Sequence, residues 1–392
     1  MIADARLVYA DHHATTPLDP EVFAAMRPWL EGLSANPSST HGPGRAAREA
    51  VETARAEVAV ALGAEPSEIV FTSGGTESDN LAILGSWRFL RDKNVGKRAV
   101  VTTPIEHKAI LAASHQAAHE GAEERMLAVD GAGLVRGESF DALVREDVAI
   151  CSIMWVNNEI GTIQPISDFA QRAKSRGVLF HTDAVQAFGH IAVSAKSAPF
   201  DLLSLSGHKI GAPKGIGAIY IRRGTFVEPL QFGGSQNRGV RPGTENVAAA
   251  VALARAAELA VEELETEMPR LEKMRDYLQR ELEARIPDAV VNGVGAPRAP
   301  HILNISVPGT DSESMLMALD MSGVACSSGS ACQSGTVDPS HVLEAIGVPR
   351  ELAIAAVRMS LGSLTTDACI ERVVQLFPAL ISKARRLAGV AS

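Results

Sequence analysis

The segment from Val178 to Lys209 has the sequence VLFHTDAVQAFGHIAVSAKSAPFDLLSLSGHK and contains two short apolar runs. The first run ends at Asp183, and the second, Leu202–Ser206, leads directly into Lys209. Runs of this kind are typical of strands that are buried on both faces of a parallel sheet. Lys209 follows Asp183 by 26 residues. This is about the length of one helical crossover, so both side chains are expected at the same edge of one sheet.

The same alternation of apolar runs and helical patterns extends over about residues 50 to 260. Strand patterns that alternate with helical patterns of about 10–15 residues predict βαβ units, and therefore an α/β fold with a mostly parallel sheet. The predicted strands are 68–72, 98–103, 148–155, 178–182, 202–206 and 216–221, and the predicted helices are 18–33, 47–62, 76–90 and 108–120.

Beyond residue 245 the composition shifts toward Ala, Glu, Leu and Arg, which predicts a long helix over 247–286 with a break or kink at Pro269. Strand patterns at 289–292 and 302–306, a Ser/Gly-rich loop at about 326–335 and helices ending near Leu387 follow. We therefore predict two domains. The large domain spans 15–260, and the smaller domain combines 1–14 with 261–392 and includes the loop at about 326–335.

The composition excludes several classes of protein. The 392 residues have a formal net charge of −9, which argues against a nucleic-acid binder that relies on a basic surface. Four cysteines are too few for a disulfide framework. No apolar run reaches the roughly 18 residues of a membrane helix, and the first residues lack the pattern of a secretory signal. We expect a soluble, cytoplasmic protein without a nucleic-acid or membrane partner.

Lys209 and Asp183 are the first candidates for chemistry, because ligands of open α/β sheets bind at the carboxyl ends of the strands. A buried carboxylate is costly unless it meets a cation. An Asp that pairs with the pyridinium nitrogen, opposite a Schiff-base lysine, is the arrangement of enzymes that use pyridoxal phosphate (PLP). Taken alone, Lys209 also fits an exposed strand-end lysine, and Asp183 fits a cap of a helix at 184–189.

The segment Phe71–Glu77, FTSGGTE, predicts a strand, a glycine turn and a helix start. Free N–H groups at such a start bind phosphate, and Thr76 is predicted as the N-cap residue. The segment is neither a P-loop nor a dinucleotide fingerprint, and its two glycines also fit an ordinary turn. Further polar residues follow two other strands, at 106–108 and 157–159. They could contact a planar cofactor, or could be a surface histidine and a turn.

The last candidate segment is residues 325–335, ACSSGSACQSG, which contains Cys326 and Cys332. Runs of Ser and Gly form a flexible backbone, and a thiolate is a strong nucleophile when its pKa is lowered. The alternatives are a flexible linker and a metal-binding pair. Zinc needs about four ligands and no others are evident nearby, so no metal site is expected.

Taken together, these motifs resemble those of cysteine desulfurases of the NifS/IscS type, in the class V aminotransferase group of fold-type I PLP enzymes. The resemblance covers nearly the whole chain. It implies a large domain with a mostly parallel, seven-stranded-type sheet, a smaller α+β domain, PLP as cofactor, L-cysteine as substrate and a homodimer. The matching motifs are Asp11–Pro17, Asn36–His41, Gly44–Arg45, Phe71–Glu77, Glu106–Lys108, Asn157–Gly161, Asp183–Gln186, Ser206–Lys209, Arg241–Thr244, Ser327–Cys332 and Arg358–Gly362.

The resemblance also implies a role for each cofactor-binding residue. Lys209 would bind PLP and move protons, Asp183 would pair with the pyridinium nitrogen, and His107 would stack on the ring. The phenolate oxygen of the cofactor would accept hydrogen bonds from Asn158 and Gln186. Its phosphate would be held by Gly75, Thr76, Ser206, Gly207 and His208, and by Thr244 of the other subunit.

For the substrate, the resemblance implies that Arg358 binds the α-carboxylate with help from Asn36. Cys332 would attack the substrate sulfur, hold it as a persulfide and pass it to a sulfur-acceptor or iron–sulfur scaffold protein. Cys332 could also serve as a transient iron–sulfur ligand. Two residues depart from the family pattern, Asn237 at a position that is often Glu and the extra loop cysteine Cys326. A selenocysteine lyase, another class V aminotransferase and a non-enzymatic scaffold are the alternatives.

Overall fold

The computed structural model of the chain describes residues 7–32, 35–329, 338–387 and 389. Within these residues the strands are β1 (Val8–Tyr9), β2 (Ile69–Thr72), β3 (Ala99–Thr102), β4 (Glu123–Met126), β5 (Val148–Ser152), β6 (Leu179–Asp183), β7 (Leu202–Ser206), β8 (Gly217–Ile221), β9 (Val290–Val291), β10 (Ile302–Ser306), β11 (Val324–Ala325) and β12 (Ala356–Ser360).

The helices in the same described ranges begin with α1, which starts after the N-cap residue Asp19. A π-helical turn, Leu81–Gly85, joins α3 to α4. The α-helices are α1 (Pro20–Glu31), α2 (Gly42–Leu62), α3 (Gly75–Asn80), α4 (Ser86–Asp92), α5 (Lys108–His119), α6 (Gly137–Leu143), α7 (Ile166–Ser175), α8 (Val247–Glu262), α9 (Leu264–Arg285), α10 (Ser312–Met321), α11 (His341–Ala345), α12 (Arg350–Ala353) and α13 (Asp367–Leu387).

A seven-stranded sheet with the order β2-β8-β7-β6-β5-β3-β4 forms the centre of the larger part of the fold. Strands β7, β6, β5, β3 and β4 are parallel, and β8 is antiparallel to its two neighbours. This sheet confirms the predicted α/β fold with a mostly parallel sheet. Because β6 and β7 are neighbours, with Asp183 opposite Ser204, their carboxyl ends lie together at one edge.

Apolar helix faces cover both sides of this sheet, which explains why its central strands are buried along nearly their whole length. On one side Val58 of α2 and Leu253 of α8 belong to the largest buried cluster. On the other side Trp87 of α4 and Ile110 of α5 belong to a second cluster. Complete burial of such a side chain contributes about 1.5–3 kcal/mol each.

A second sheet, with the antiparallel order β12-β10-β9, packs with α9, α10 and α13. Its buried cluster includes Leu271 and Phe377 together with Val8 and Ala10 from the start of the chain. The contact between the two ends of the chain supports the predicted division into 15–260 and 1–14 with 261–392, which we retain as a proposal. Among the described residues, no helix has the length and apolar character needed to cross a membrane.

The prediction omits the strands β1, β4, β11 and β12 and the helices α6 and α7, and it places one helix break differently. Strand β4, with the sequence EERM, is an edge strand whose charged residues hid its pattern. Strand β12 is fully buried but contains Arg358, which interrupts its apolar run. The sequence predicts a break or kink at Pro269, and the break is wrong, because α8 and α9 meet at Glu263 and Pro269 lies inside α9. A kink at Pro269 stays a prediction. A proline ring clashes with the carbonyl group four residues earlier, which is Glu265 here, so its disturbance is expected in the first turn of α9.

Candidate active site

A cavity of about 260 Å³ lies at the carboxyl ends of the central strands, where β6 and β7 end side by side. Residues from distant segments of the chain meet in its wall, and ten of the residues singled out from the sequence are among them. These ten are Gly75, Thr76, His107, Asn158, Asp183, Gln186, Ser206, His208, Lys209 and Arg358.

Lys209 lies just beyond the end of β7, in a short 3₁₀ turn. Its Nζ donates hydrogen bonds to the carbonyl oxygens of His13 (2.5 Å) and Ala14 (2.8 Å). Burial and the nearby guanidinium of Arg358 lower the pKa of Lys209 to about 8, while the Asp183 carboxylate acts in the opposite direction. A lysine with this pKa can gain and lose a proton near neutral pH.

Asp183 is the last residue of β6 and is buried in the cavity wall. Its Oδ1 accepts a hydrogen bond from the Val185 amide at 2.8 Å. Burial raises the pKa of Asp183, and the nearby side chains of His107 and Lys209 partly offset this rise. The predicted helix at 184–189 is a series of turns, so Asp183 is not a helix cap. A buried carboxyl group here would be stabilised further by a cationic ring nitrogen.

The glycine turn after β2 supplies the part of the cavity suited to phosphate. The prediction that Thr76 is the N-cap residue is wrong. Gly74 is the N-cap residue, with φ of 150°, and α3 begins at Gly75. The Gly74 conformation is unfavourable for residues with a Cβ atom, which accounts for a glycine at this position. The N-cap lies two residues before the predicted one, and α3 starts one residue before the predicted helix. The first-turn N–H groups of Gly75 and Thr76 have no intrahelical acceptor, and both residues line the cavity.

Several buried polar atoms at this cavity have no hydrogen-bond partner among the described residues. They are Asn158 Oδ1, Gln186 Oε1, Asp79 Oδ1 and Arg358 Nε. Buried polar atoms in folded proteins are nearly always hydrogen-bonded. Arg358 Nε is a donor and suits an anionic oxygen. The side-chain amides of Asn158 and Gln186 would fit the phenolate oxygen of PLP after a half-turn that exchanges their oxygen and NH₂ positions, because only the NH₂ group can donate.

Arg358 belongs to β12 and reaches the cavity from the second sheet. Its Nη1 donates to the Asn158 carbonyl oxygen at 3.0 Å, and its Nη2 lies 3.5 Å from Asp11 Oδ1. Asp11 Oδ2 in turn accepts a hydrogen bond from the Ser327 hydroxyl at 2.8 Å. The guanidinium is buried and incompletely paired, which suits it to a carboxylate that enters the cavity.

Three predicted binding residues do not line this cavity. Asn36 is exposed and its Oδ1 accepts from the Ser38 amide at 2.8 Å. Thr244 is also exposed. The N–H of Gly207 donates to the Ile216 carbonyl oxygen at 3.0 Å and is not directed to a ligand. The predicted nucleophile Cys332 lies outside the described residues.

Cys326 differs from the accessible thiol that its Ser/Gly-rich surroundings predict. The side chain is partly buried and packs against the core of the second sheet. Burial and the neighbouring Asp11 carboxylate raise the pKa of Cys326 to about 12. The thiol therefore stays protonated near neutral pH, which favours the passive role.

The structure also brings His13, Ala14 and Asp79 to the cavity, for which the sequence suggested no role there. His13 and Ala14 lie in the motif Asp11–Pro17, so the resemblance marked the segment without indicating its contacts. Asp79 lies one turn into α3, at the spacing that turns its side chain back toward the sheet. The sequence signal for this residue was an acidic side chain one turn into the helix that follows the glycine turn.

Known proteins match the chain over nearly its full length. The family model of aminotransferase class-V matches residues 8–373. A cysteine desulfurase IscS of Dictyoglomus turgidum is 46% identical over 97% of this chain and 96% of its own length. A solved NifS-like protein is 36% identical, covers 98% of this chain and 99% of its own, and superimposes with a TM-score of 0.88.

A further solved structure, described as SspA in complex with cysteine, is 33% identical over 90% of this chain and 98% of its own, with a TM-score of 0.78. These matches confirm the family that the motifs predicted. The chain belongs to the class-V aminotransferase family, in its group of IscS and NifS-like cysteine desulfurases.

Proposed function

We propose that the chain is a PLP-dependent cysteine desulfurase whose reaction takes place in the cavity between the two sheets. The activity agrees with that of the curated relatives, which are named cysteine desulfurases and match over nearly the whole chain. The observation that supports our assignment of residues most strongly is the meeting of Lys209, Asp183 and Arg358 in one cavity wall. A base, a carboxyl group and a carboxylate receptor are the groups that an amino-acid reaction on PLP requires.

When bound, PLP supplies an electron sink that makes bonds to the substrate α- and β-carbons labile. The chain's own groups fit each end of this cofactor. The N–H groups of Gly75 and Thr76 and the side chains of Ser206 and His208 suit the phosphate. Asn158 and Gln186 suit the phenolate oxygen, and His107 suits the ring face.

Asp183 holds a proton on the ring nitrogen when the cofactor is present. The carboxyl group is fixed by the Val185 amide and is shielded from water, so its charge acts at short range in a medium of low dielectric constant. His107 is oriented for its own contact because its Nδ1 accepts the Ala109 amide hydrogen at 3.2 Å.

Lys209 takes the proton from the substrate α-carbon at its Nζ. With a pKa of about 8, roughly a tenth of this amine is neutral at pH 7 and can act as a base. The carbonyl oxygens of His13 and Ala14 orient the amine before the reaction. Arg358 binds the substrate carboxylate through its unpaired donors, which fixes the α-carbon near Lys209.

We assign sulfur removal to Cys332. Its thiolate attacks the substrate sulfur, the carbon–sulfur bond breaks, and the products are alanine and a persulfide on Cys332. Atoms and protons balance, because cysteine and one thiol give alanine and one persulfide. The persulfide then passes to an acceptor thiol or an iron–sulfur scaffold protein. A cytoplasmic location, in which this thiol stays reduced, remains our prediction.

We also propose a homodimer in which Thr244 completes the phosphate site of the partner subunit. Thr244 is exposed and does not line this chain's own cavity. Two aromatic side chains of the same region, Phe226 and Phe232, are 62% and 89% exposed. Large exposed apolar side chains of this kind support burial against a second copy.

The variant Cys332→Ser tests the nucleophile. We expect it to retain the cofactor absorbance and to lose sulfide release from cysteine in the presence of a reductant, because a hydroxyl group does not accept the sulfur. Cys326→Ser is the matched control and should keep wild-type turnover, since its buried thiol stays protonated. Full activity of Cys332→Ser would refute the assignment. Parallel assays with selenocysteine would identify a selenocysteine lyase by faster turnover of that substrate.

Lys209→Ala tests the cofactor site. We expect this variant to lose the absorbance of lysine-bound PLP and all alanine formation, because no other lysine lines the cavity within the described residues. Persistence of that absorbance would show that a different lysine binds the cofactor. A melting temperature close to that of the wild type would exclude general unfolding as the cause.

A further inference from the structure

Four buried or partly buried histidine rings lie close to one another near Lys209, which acts electrostatically on His13 and His190. The rings of His190 and His301 are stacked, with centroids 3.9 Å apart and planes 19° from parallel. His13 lies 6.5 Å from His301 at an angle of 23°, so these three rings form a row. His12 is close enough to His190 and His301 to affect the charge of both. We call these four residues the histidine row.

The two ends of the row open into different cavities. His13 lines the active-site cavity described above. His190 and His12 line a second cavity of about 290 Å³, which we call the rear cavity. Lys209 lines both cavities. The row and the catalytic lysine therefore lie between the active site and a separate opening.

Ring nitrogens of the row lack hydrogen-bond partners among the described residues. These atoms are His12 Nε2, His13 Nδ1, His190 Nδ1 and both nitrogens of His301. His301 is 1% exposed, and a buried imidazole with two unpaired nitrogens is costly. Ordered water is the usual partner of such atoms when neighbouring polar groups leave room for it.

The surroundings keep the four rings neutral. Burial lowers the pKa of His12 and of His190 to about 4, and the pKa values of His13 and His301 lie well below the ordinary range for the same reason. The charged groups that act on the row, apart from its own members, are Lys209, Arg275, Arg358 and Glu267. A neutral imidazole has one N–H donor and one acceptor nitrogen, so it can accept a proton on one side and release one on the other.

Carboxyl groups lie at the outer part of the rear cavity. Glu263, at the junction of α8 and α9, and Glu267, in the first turns of α9, both line it. Burial and nearby acidic groups, first of all Glu267, raise the pKa of Glu263. A carboxyl group with a raised pKa exchanges protons with water more readily near neutral pH than an ordinary one.

The active-site cavity has a volume of about 260 Å³, so a cofactor and a substrate bound there would exclude water from it. Lys209 must still exchange the protons that it moves. We propose that the histidine row and the rear cavity form a hydrated passage through which protons exchange between Lys209 and solvent. The inference rests on the proposed role of Lys209. The passage exchanges protons without consuming any, in keeping with the balanced overall reaction.

The test follows the α-proton of L-alanine in D₂O by NMR, with the PLP-loaded enzyme. Lys209 removes this proton into an amine that already carries deuterium, and sustained deuteration of the α-carbon over many turnovers requires that Lys209 regain deuterium from solvent. His301→Phe keeps a stacked ring and removes both nitrogens. We expect unchanged cofactor absorbance and α-deuteration slowed about tenfold, below the roughly 100-fold or more contributed by groups that transfer protons directly to substrate.

A second variant guards against misfolding of His301→Phe. His190→Ala enlarges the rear cavity at a residue that is only partly buried. We expect the same slowing, and we expect added imidazole to restore the rate, which it would not do for a purely structural defect. His115→Phe is the matched control, because His115 is an exposed histidine of α5 that lines neither cavity, and it should exchange at the wild-type rate.

The outcomes separate this inference from the proposed function. If His301→Phe and His190→Ala both show α-deuteration as fast as that of the wild-type enzyme, the passage is overturned and the role of Lys209 stands. A slowed His190→Ala that imidazole does not rescue would also count against the passage. Absence of α-deuteration in the wild-type enzyme would overturn the role of Lys209, and the passage with it.

Discussion

Two carboxyl groups are buried near the same edge of the seven-stranded sheet, and their surroundings differ. Asp183 lines the cavity and faces His107 and Lys209. Glu106 does not line it, and its Oε1 accepts hydrogen bonds from the Thr103 hydroxyl and the Met154 amide, both at 2.9 Å. Burial raises the pKa of both groups, that of Glu106 to about 8. Burial alone therefore does not identify a working acid; a neighbouring cation at a cavity does.

Of the substitutions that test this comparison, Asp183→Asn is expected to change alanine formation most. The amide keeps the size of the side chain but has no charge to pair with a cationic ring nitrogen. Loss of one partner of a buried ion pair costs about 3–5 kcal/mol, so alanine formation should fall roughly 10²- to 10⁴-fold. Cofactor absorbance and steady-state kinetics measure this. Activity within about twofold of the wild type would mean that Asp183 is structural, as Glu106 is.

Glu106→Gln should change stability, with little effect on cofactor binding. The folded-state pKa of Glu106, about 8, lies above its ordinary value of 4.5, so the folded protein binds more protons than the unfolded chain between these two values. Wild-type stability should therefore fall as pH rises from about 4.5 to 8 and then level off, by roughly a few kcal/mol.

Chemical denaturation of the wild type and of Glu106→Gln between about pH 5 and 9 measures the free energy of unfolding at each pH and checks this dependence. The glutamine Oε1 can keep both hydrogen bonds, while its side chain does not titrate. We expect the variant to lose the fall in stability that the wild type shows. An identical pH dependence in both proteins would contradict the assignment to Glu106.

Asp79→Asn should have the smallest effect. Asp79 is buried beside Asp183, and burial together with the Asp183 charge raises its pKa well above the ordinary value. The raised pKa favours the neutral form of Asp79, so a neutral amide of the same shape should change turnover by less than about fivefold, or about 1 kcal/mol. A change as large as that of Asp183→Asn, measured in the same assay, would show that Asp79 and Asp183 share the charge.

The sequence was most informative where a strand pattern ended in a polar residue. Asp183 and Lys209 were predicted from such patterns, and the sheet brings both to one cavity because β6 and β7 are neighbouring parallel strands. Arg358 was found through the family motif, since a single arginine in a buried strand has no periodic signal. For Gly207 the family motif was misleading. It implied a contact with the phosphate, but the Gly207 N–H donates to the Ile216 carbonyl oxygen instead.

The sequence by itself determined the α/β fold class, the parallel sheet and the family, because these depend on local apolar patterns and on motifs that occur in order along the chain. Only the tertiary structure decided which polar atoms remain unpaired, which carboxyl group meets a cation, and that His13, His190 and His301 form a row between two cavities. These three histidines are separated by more than a hundred residues between neighbours in the sequence. Their contacts depend on how the two sheets pack, which no local pattern reports.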